Sequence, residues 1–336
     1  MNALPKVGLG AIGCSRISLK GILPAVASSE QVNLIMVGSR DPEKAKEVAG
    51  RFGSVGFGTY DDVLNNKEID MVYISLPNSL HEEWAIKAAN AGKHILCEKP
   101  ATTSYASARK MIQAAKNKNV RLLEGYMFRY HPQNSAAKKL IQEGVLGNLM
   151  RFDGCFGYDM PHKSLIPMSK ELGGGSLYVS GGYPISASRM VFDEEPESVY
   201  CKLTIDPESG IDVRNDITLN YSNGKTAFTS SIFGSYYHSM YGVLGDKAYL
   251  RMGRAYTVPR DMPTKMYLDK DDKVEEMMIE PADHFQLMLH DFCGEIKKGK
   301  ESKKDYEREL LNQARVVEAA MQSNEEKRVV KISEIT

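Results

Sequence analysis

The chain has 336 residues, enough for about two domains with a substantial buried core. Its 43 basic and 43 acidic side chains cancel to a formal net charge of zero, which excludes a global field that would recruit nucleic acid or an anionic membrane. No apolar run approaches the roughly 18 residues of a membrane span, no charged and apolar leader precedes the first predicted strand, and the five cysteines are scattered. We therefore expect a cytoplasmic protein with free thiols and no bound metal.

The first predicted element is a strand over residues 6–9, and a glycine-rich stretch follows it at once. The stretch has the GxGxxG spacing and leads into residues with helical periodicity, the context that a dinucleotide-binding fingerprint requires. In this interpretation Gly8 permits the tight turn, Gly10 lets the backbone approach a pyrophosphate, and Gly13 lets the helix pack on the strand. An ordinary glycine-rich turn is the alternative, but a second strand predicted over residues 32–37 favours the fingerprint. The candidate pyrophosphate residues are Gly8, Leu9, Gly10, Ala11, Ile12 and Gly13.

The end of the second predicted strand indicates which dinucleotide binds. An NAD site normally places Asp or Glu there for the ribose hydroxyls, whereas this chain has Ser39 and Arg40. Ser39 can donate a hydrogen bond to a 2′-phosphate. Arg40 can pair with that phosphate while stacking on adenine, and Lys44 adds a second cation. Two alternatives stay open, because the cations can be solvated and Asp41 can reach a ribose. The sequence therefore predicts NADP(H) in preference to NAD(H).

Three later strands are also predicted to end in residues suited to a binding site. Ligands bind beyond the carboxyl ends of strands in open α/β sheets, so these residues are candidates for contact with the cofactor. They are Leu76, Pro77, Asn78 and His81 after the strand over residues 71–76, Glu98 and Lys99 after the next apolar run, and Arg129 after the strand over residues 120–123. The alternatives are helix capping or packing for His81, a solvated lysine for Lys99 and surface pairing for Arg129.

From about residue 126 the alternation of strands and helices gives way to β-rich segments. Strands are predicted over residues 149–158, 198–205, 212–221, 226–234 and 241–252, and helices over residues 283–298 and 304–323. A glycine-rich stretch between the first two of these strands leads into a helix that ends near residue 191. The predicted domains are residues 1–125 and 126–336, and the last helices can pack back on the first domain.

Several of these strand ends together resemble one known family. GLGAIG near the N-terminus, SRD after the second strand, PNSLH after the fourth, CEKP after the fifth and EGYMFRYHPQ after the sixth are similar to glucose-fructose oxidoreductase, inositol dehydrogenase and their relatives. The resemblance implies a doubly wound parallel Rossmann sheet followed by an α/β domain with an open, mostly antiparallel sheet. In this family the exposed face of that sheet commonly builds homodimers or homotetramers. The resemblance also implies that Lys99 lies beside the nicotinamide and contacts the reacting oxygen.

The second glycine-rich stretch resembles another signature of the family, GGGxLxDxGxH, in which the histidine is the acid/base. Tyr183 stands at the place of that histidine, as in a known variant of the sugar oxidoreductase branch. A phenol with a pKa of about 10 is protonated at neutral pH and can protonate a carbonyl oxygen, and a nearby ammonium such as Lys99 would stabilise the phenolate. A packed tyrosine before a proline is the alternative. Val179 replaces the signature's Asp, which removes an acceptor for a substrate hydroxyl and argues against a polyol such as inositol.

The resemblance implies hydride transfer between NADP(H) and a sugar carbon. We expect reduction of a keto group on a nucleotide-activated deoxy sugar. The enzymatic alternative is oxidation of a free aldose such as xylose or glucose at its anomeric carbon, and a non-catalytic dinucleotide sensor is the alternative of another class. Residues 254–259 loosely resemble sequence in relatives that act on nucleotide-linked keto sugars. The candidate substrate residues are Lys99, Tyr158, Met160, Val179, Tyr183 and Tyr256, with Asp159 and His162 beside them.

Overall fold

The structure is a computed structural model that describes residues 6–160 and 166–336. The chain divides into two compact units, each described separately below. The first unit comprises Met1–Thr102, Ala106–Tyr126 and Phe285–Leu311, and the second comprises Thr103–Tyr105, Met127–His284 and Asn312–Thr336. Of the residues that the sequence places near the substrate, His162 lies outside the described residues.

The first unit is built around a parallel sheet of six strands in the order β3-β2-β1-β4-β5-β6. This order is that of a Rossmann fold, so the predicted doubly wound sheet is confirmed. Its central strands are runs of buried residues, as expected where helices cover both faces. The strands are β1 (Val7–Ile12), β2 (Val32–Gly38), β3 (Gly56–Gly58), β4 (Met71–Ile74), β5 (His94–Cys97) and β6 (Leu122–Glu124).

Side-chain caps fix where several helices begin. The carboxylate of Asp41 accepts hydrogen bonds from two backbone N–H groups at the start of α2, and Pro42 supplies a fixed φ at the first position. Thr59 and Asp62 form a reciprocal capping box at the start of α3. The helices are α1 (Leu23–Ala27), α2 (Pro42–Arg51), α3 (Tyr60–Asn65), α4 (His81–Asn90), α5 (Tyr105–Asn117), α6 (Pro132–Gln142), α7 (Gly182–Phe192), α8 (His284–Lys298) and α9 (Tyr306–Glu326).

The second unit contains a sheet of nine strands in the order β14-β13-β12-β11-β7-β10-β9-β8-β15. Strands β7 and β10 run parallel and the other neighbours run antiparallel, which confirms the predicted, mostly antiparallel sheet. The strands are β7 (Leu149–Tyr158), β8 (Ser198–Ile205), β9 (Asp212–Asn220), β10 (Thr226–Phe233), β11 (His238–Gly245), β12 (Tyr249–Met252), β13 (Thr264–Lys270), β14 (Lys273–Ile279) and β15 (Val330–Lys331).

Two features of this sheet differ from the sequence prediction. The single strand predicted over residues 241–252 is a hairpin of β11 and β12, whose turn is closed by a hydrogen bond of 3.0 Å from the Gly245 N–H to the Ala248 carbonyl. The hairpin of β13 and β14 was not predicted at all. Its turn residues Asp271 and Asp272 have φ of 51° and 57°, so they take the left-handed conformation that two-residue hairpin turns require.

One face of the nine-stranded sheet carries the core of the second unit. Phe152 of β7 and Tyr241 of β11 are fully buried, and their rings stack with centroids 5.4 Å apart. Helix α7 covers this inner face, and its Phe192 packs edge-on against Phe152. The opposite, outer face exposes large apolar side chains on three strands, namely Tyr200, Phe228 and Leu244.

Candidate active site

Strand β1 continues through the first glycine-rich stretch and ends at Ile12. A Cβ on Gly8 would stand 2.1 Å from the Glu68 carbonyl oxygen, and one on Gly10 would stand 2.5 Å from a methyl of Val63. These two glycines therefore permit close packing around the strand. The prediction that Gly8 forms the tight turn and Gly10 faces the pyrophosphate is wrong, because both lie before the turn. Leu9, Ala11 and Ile12 also lie in the strand, and their contact with a cofactor stays a prediction.

Gly13 is the first residue of the turn between β1 and the following helix. Its φ of +100° is available without strain only to glycine, and a Cβ would lie 3.0 Å from the Leu76 side chain. Its N–H donates to the Gly38 carbonyl at 3.0 Å, and its carbonyl accepts from the Ser75 hydroxyl at 3.3 Å. Hydrogen bonds at Gly13 thus connect the carboxyl ends of β1, β2 and β4. In a Rossmann fold, a dinucleotide crosses the sheet at this point.

The residues after Gly13 form a turn suited to a phosphate, later in the chain than the sequence pattern predicts. Helical backbone begins at Arg16, and Ser15 caps it by accepting a hydrogen bond of 3.1 Å from the Ser18 N–H. Backbone N–H groups at such a helix start favour a bound phosphate, and the exposed Arg16 adds a cation. Ser15 and Arg16 were missed as candidates, although a serine cap followed by helical periodicity would have identified this turn.

The turn after β2 fits a 2′-phosphate better than a free ribose. Asp41 follows this strand, but its Oδ1 accepts hydrogen bonds from the N–H groups of Glu43 and Lys44 at 3.1 and 3.2 Å. That carboxylate is therefore engaged as the cap of α2. The Ser39 hydroxyl oxygen accepts from the Asp41 N–H at 3.1 Å, and the hydroxyl also hydrogen-bonds to the Cys14 thiol, so a phosphate at this turn would compete only with a weak sulfur acceptor for the Ser39 proton.

Arg40 lies in a group of polar side chains at the same turn. Arg40 is exposed and hydrogen-bonds to Tyr60, where it opposes the rise that burial causes in the phenol's pKa. Burial also raises the pKa of the Cys14 thiol, and the ammonium of Lys44 opposes that rise. The guanidinium of Arg40 and the ammonium of Lys44 can therefore both approach a phosphate placed at this turn. We call Cys14, Ser39, Arg40, Lys44 and Tyr60 the Arg40 cluster.

His81 is fully buried and makes two contacts with backbone carbonyls. Its Nδ1 lies 2.9 Å from the Pro100 oxygen and its Nε2 lies 2.9 Å from the Leu76 oxygen. Burial lowers the pKa of this imidazole. The prediction that His81 binds the cofactor is therefore wrong, because its ring is fully buried between backbone carbonyls of the loops after β4 and β5. In the same turn Leu76, Pro77 and Asn78 are half-buried, and their contact with a cofactor stays a prediction.

Glu98 and Lys99 follow directly after β5. The Glu98 carboxylate is buried, where Oε1 accepts a hydrogen bond of 2.7 Å from the Tyr73 hydroxyl and Oε2 accepts one of 3.3 Å from the Lys99 N–H. A second buried carboxylate, Glu124, ends β6 and accepts from the Ala101 N–H at 2.9 Å. The segment that carries Lys99 is therefore held on both sides by buried acids, and direct contact of Glu98 with a cofactor stays a prediction.

The two acids also set the charge balance around Lys99. Burial lowers the pKa of the half-buried Lys99 ammonium, and the nearby carboxylates of Glu98 and Glu124 oppose that fall. Burial raises the pKa of Glu98, and the ammonium opposes that rise. The two carboxylates favour the charged form of Lys99, and a positive charge acts more strongly on a nearby oxygen in a partly buried site than in bulk solvent.

Tyr183 is the second residue of α7 and belongs to a group of packed rings. Its ring centroid lies 5.3 Å from that of Phe156 and 5.7 Å from those of Phe128 and Tyr256. Its hydroxyl lies 3.6 Å from the Met127 sulfur, which is a weak acceptor. The four rings, which we call the aromatic cluster, fix the phenol in one orientation.

The second glycine-rich stretch positions the helix that carries Tyr183. Gly175 has φ of +110°, and a Cβ there would lie 2.1 Å from Oδ1 of the buried Asp212. Oδ2 of Asp212 accepts hydrogen bonds of 2.7 Å from the Ser176 hydroxyl and from the Leu177 N–H. Burial raises the pKa of Asp212, and these donors oppose the rise. The stretch is thus anchored on β9 before the π-helical turn Leu177–Gly181 leads into α7.

The predicted substrate residues of the second unit differ in how they are placed. Tyr158, Met160 and Val179 are half-buried, and burial raises the pKa of Tyr158 to about 12. Tyr256 has no exposed surface, and its hydroxyl donates to the Met240 carbonyl at 3.1 Å. The prediction that Tyr256 binds substrate is therefore wrong, because it packs behind Tyr183 as part of the aromatic cluster. The roles of the other three stay predictions.

Arg129 lies in the short 3₁₀-helix Met127–Tyr130 of the second unit. Its Nη1 donates to the Ser186 hydroxyl of α7 at 3.3 Å. Burial tends to raise the pKa of Glu195, but the bonded Arg189 and, to a lesser extent, the charge of Arg129 lower it. These contacts join the loop after β6 to α7. Contact of Arg129 with a cofactor stays a prediction.

Comparison with known proteins identifies the family. Residues 7–126 match the model of an oxidoreductase family with an NAD-binding Rossmann fold, and residues 134–251 match that of the GFO/IDH/MocA C-terminal domain. The chain belongs to the Gfo/Idh/MocA oxidoreductase family. The predicted resemblance is therefore confirmed on both sides of residue 126.

Several members of the family are similar over nearly their whole length. A dTDP-3,4-didehydro-2,6-dideoxy-alpha-D-glucose 3-reductase from Saccharopolyspora spinosa is 31% identical, with 87% of this chain and 88% of the relative covered. A D-xylose 1-dehydrogenase (NADP(+)) from Haloferax volcanii is 30% identical, with 94% and 97% covered. A 3-ketoreductase from Actinomadura kijaniata, crystallised with NADP and TDP-benzene, is 28% identical with a TM-score of 0.91, and 95% of this chain and 98% of that chain are covered.

Two kinds of feature are absent from the part of the chain that the structure describes. Within residues 6–160 and 166–336, no three His, Cys, Asp or Glu side chains are grouped in a way that could hold a metal ion. No helix in those ranges combines the length and the apolar character needed to cross a membrane.

Proposed function

We propose that this protein is an NADP(H)-dependent sugar oxidoreductase that reduces a keto group on a nucleotide-activated deoxy sugar. The observation that carries this proposal is the similarity, in fold and along nearly the full length, to the Actinomadura kijaniata 3-ketoreductase crystallised with NADP and TDP-benzene. Reductases acting on dTDP-linked keto sugars recur among the relatives, including one at 29% identity over 95% of this chain. Their activity fits a chain that combines Lys99 with Tyr183.

The assignment of NADP(H) rests on the Arg40 cluster as well as on the relatives. Asp41 is committed to capping α2, so its carboxylate does not take the place of the acid that binds an NAD ribose. Ser39 supplies a hydroxyl and Arg40 a planar cation that matches phosphate geometry. The Haloferax volcanii D-xylose 1-dehydrogenase (NADP(+)) also uses NADP. A preference for NADP(H) over NAD(H) therefore fits both candidate activities.

In the proposed mechanism the cofactor, when bound, would supply or accept the hydride. The chain's own residues stabilise the developing charge and transfer the proton. Lys99 polarises the reacting oxygen with an ammonium whose charged form Glu98 and Glu124 favour. Tyr183 gives its hydroxyl proton to that oxygen as negative charge develops, and takes one back in the reverse reaction. The aromatic cluster holds the phenol ring rigid, so little reorganisation is needed when the proton moves.

A second enzymatic candidate is oxidation of a free aldose at its anomeric carbon. This candidate is favoured by the similarity to the Haloferax volcanii D-xylose 1-dehydrogenase, because the match covers 97% of that protein. Both candidates use the same proton and hydride transfers, so they differ in what binds beyond the reacting carbon. A panel of keto nucleotide sugars and free aldoses with NADPH and NADP distinguishes them by their kcat/KM.

The catalytic roles are tested with substitutions of Tyr183 and Lys99 in that assay. We expect Tyr183→Phe to lower kcat by two to four orders of magnitude, because the general acid is lost while the ring still packs. Lys99→Met should lower kcat by about a hundredfold or more, because the charge facing the reacting oxygen is lost. The measurement is NADPH absorbance against time at saturating substrate.

Tyr178→Phe is the matched control for Tyr183. Tyr178 lies in the helical turn before α7 and donates a hydrogen bond of 3.0 Å to the Thr103 carbonyl, so its loss should cost stability rather than rate. Full activity of Tyr183→Phe would remove this tyrosine from the mechanism. Binding of NADP without turnover of any sugar in the panel would instead favour a non-catalytic sensor.

The remaining proposals concern organisation and location. We propose that residues 1–125 carry the NADP site, and that residues 126–336, apart from the segment Phe285–Leu311 that belongs to the first unit, bind substrate and form oligomers. The outer face of the nine-stranded sheet is the proposed surface for a homodimer or homotetramer. Five free cysteines fit a cytoplasmic location, where thiols stay reduced, and fractionation of cells tests this.

A further inference from the structure

The arginines on the strands of the large sheet have carboxylate partners. Arg151 pairs with Asp153 at 2.7 Å, Arg214 pairs with Asp216 at 2.8 Å, and Arg251 pairs with Asp269 at 3.5 Å. Such cross-strand and same-strand pairs are the usual way in which a β-sheet surface accommodates guanidinium groups.

Arg254 lies just beyond β12 and differs from these three. In the part of the chain that the structure describes, no carboxylate lies within ion-pair distance of it, and its Nε is buried without a hydrogen-bond partner. Leaving a buried donor unsatisfied is unfavourable, more so when the group is charged. A guanidinium in this state is suited to an anion that is supplied from outside the chain.

The surroundings of Arg254 hold it in place. Its guanidinium carbon lies 4.2 Å above the ring of Tyr237, and the Tyr237 hydroxyl hydrogen-bonds to the Thr257 hydroxyl at 2.8 Å. The Arg254 carbonyl accepts a hydrogen bond of 3.0 Å from the amide of the buried Gln133. The side chain is thus stacked and its backbone fixed, so little conformational entropy is lost when an anion binds.

Arg254 also lies at the end of the sheet where the candidate substrate residues are found. It bridges to Ser239, close to the start of β11, and that start pairs with the carboxyl end of β7 near Tyr158. Tyr237 contacts Phe156 with centroids 6.4 Å apart, and Phe156 contacts Tyr183 at 5.3 Å. The stacked guanidinium and the catalytic phenol are therefore connected through two ring contacts within one unit.

We propose that Arg254 binds the diphosphate of the nucleotide-activated sugar and thereby selects such substrates over free aldoses. This inference rests on the proposed function, since it assigns the part of the substrate beyond the reacting sugar. A planar guanidinium can donate two parallel hydrogen bonds from its edge to phosphate oxygens while one face stays stacked on Tyr237. A free aldose carries no group that would use this cation, so Arg254 contributes specificity rather than chemistry.

The test measures dTDP binding and steady-state kinetics for the wild type, Arg254→Met and Arg254→Lys. We expect Arg254→Met to weaken dTDP binding about ten- to a hundredfold and to raise KM for a dTDP-linked keto sugar similarly, with kcat little changed, because a charge-assisted pair of hydrogen bonds is lost. Arg254→Lys should recover part of the affinity, because a lysine keeps the charge but not the paired donors. NADP affinity should stay the same in all variants.

Arg251→Met is the matched control. Arg251 also stacks on a tyrosine, with its guanidinium carbon 4.5 Å from the Tyr267 ring, but it has a carboxylate partner and should leave dTDP binding unchanged. If Arg254→Met binds dTDP as tightly as the wild type, the inference is overturned while the proposed reductase can still stand. If the wild type binds no dTDP and oxidises only free aldoses, the proposed function fails together with the inference.

Discussion

Arg40 is the residue on which the choice between the two dinucleotides depends most directly. It is exposed in the turn after β2, where Asp41 is already occupied as a helix cap. We expect Arg40→Ala to lower kcat/KM for NADPH about ten- to a hundredfold and to change that for NADH little, because only the 2′-phosphate uses the guanidinium. The measurement is the ratio of the two kcat/KM values.

Lys46→Ala is the control for Arg40, because this exposed lysine of α2 lies outside the Arg40 cluster. Its replacement should leave the cofactor ratio unchanged and so exclude a general effect of net charge. A higher kcat/KM with NADH than with NADPH in the wild type would contradict the assignment of NADP.

The predicted site residues differ in how local their environments are. A serine and an arginine that follow a predicted strand, with no acid beside the strand end, can be recognised from a few residues of sequence. His81, in contrast, contacts the carbonyls of Leu76 and Pro100, and the second of these is 19 residues away. No short pattern distinguishes such a buried connection from a binding histidine.

The position at which β1 ends explains why the predicted roles of Gly8 and Gly10 are wrong. Apolar and glycine residues alternate from Val7 to Ile12, so the sequence permits a strand that ends at either Leu9 or Ile12. The decision comes from tertiary packing, because Glu68 and Val63 approach the strand too closely for any side chain at Gly8 or Gly10. The hairpin of β13 and β14 was missed for a related reason, since its Asp-Asp turn lacks the glycine that usually marks such hairpins.

Helix α6 begins at a buried histidine that should make the fold sensitive to acid. His131 caps this helix by accepting from the Gln133 N–H at 3.3 Å, and burial lowers its pKa to about 4. Its ring also packs edge-on against His284, whose pKa burial lowers to about 3. The usual pKa of about 6.5 applies in the unfolded chain. The unfolded state therefore binds protons first as the pH falls.

We expect the stabilisation from neutral His131 to be fully present above a pH of about 6.5. As the pH falls from about 6.5 to about 4, its titration should lower the free energy of unfolding by about 3 kcal/mol. His131→Asn keeps a capping acceptor but does not titrate, so its free energy of unfolding should fall less over this range. Urea unfolding at several pH values measures the difference. His238→Asn replaces an exposed histidine and should follow the wild-type curve, and an equally steep fall for His131→Asn would refute the assignment.

At the scale of the whole molecule, the outer face of the nine-stranded sheet exposes large apolar side chains within the described part of the second unit. On that outer face Phe228 of β10 is 40% exposed and Tyr200 of β8 is 42% exposed, and both lie opposite Thr218 of β9 in the register of the sheet. Arg151 of β7 stacks on Phe228 at 4.5 Å, and its neighbour across the strands is Leu244. Apolar and aromatic side chains with arginine at the centre of a patch are typical of protein interfaces.

The proposed homodimer or homotetramer should therefore depend on this face. We expect the double substitution of Tyr200 and Phe228 by glutamate to give monomers, because two buried carboxylates would face the partner's apolar surface. Sedimentation velocity over a range of concentrations measures the change. Tyr236→Glu is the control, since Tyr236 is 91% exposed but lies between β10 and β11, and it should leave the assembly intact. A wild-type protein that is monomeric at all concentrations would contradict the proposal, and the outer face would then need another covering partner.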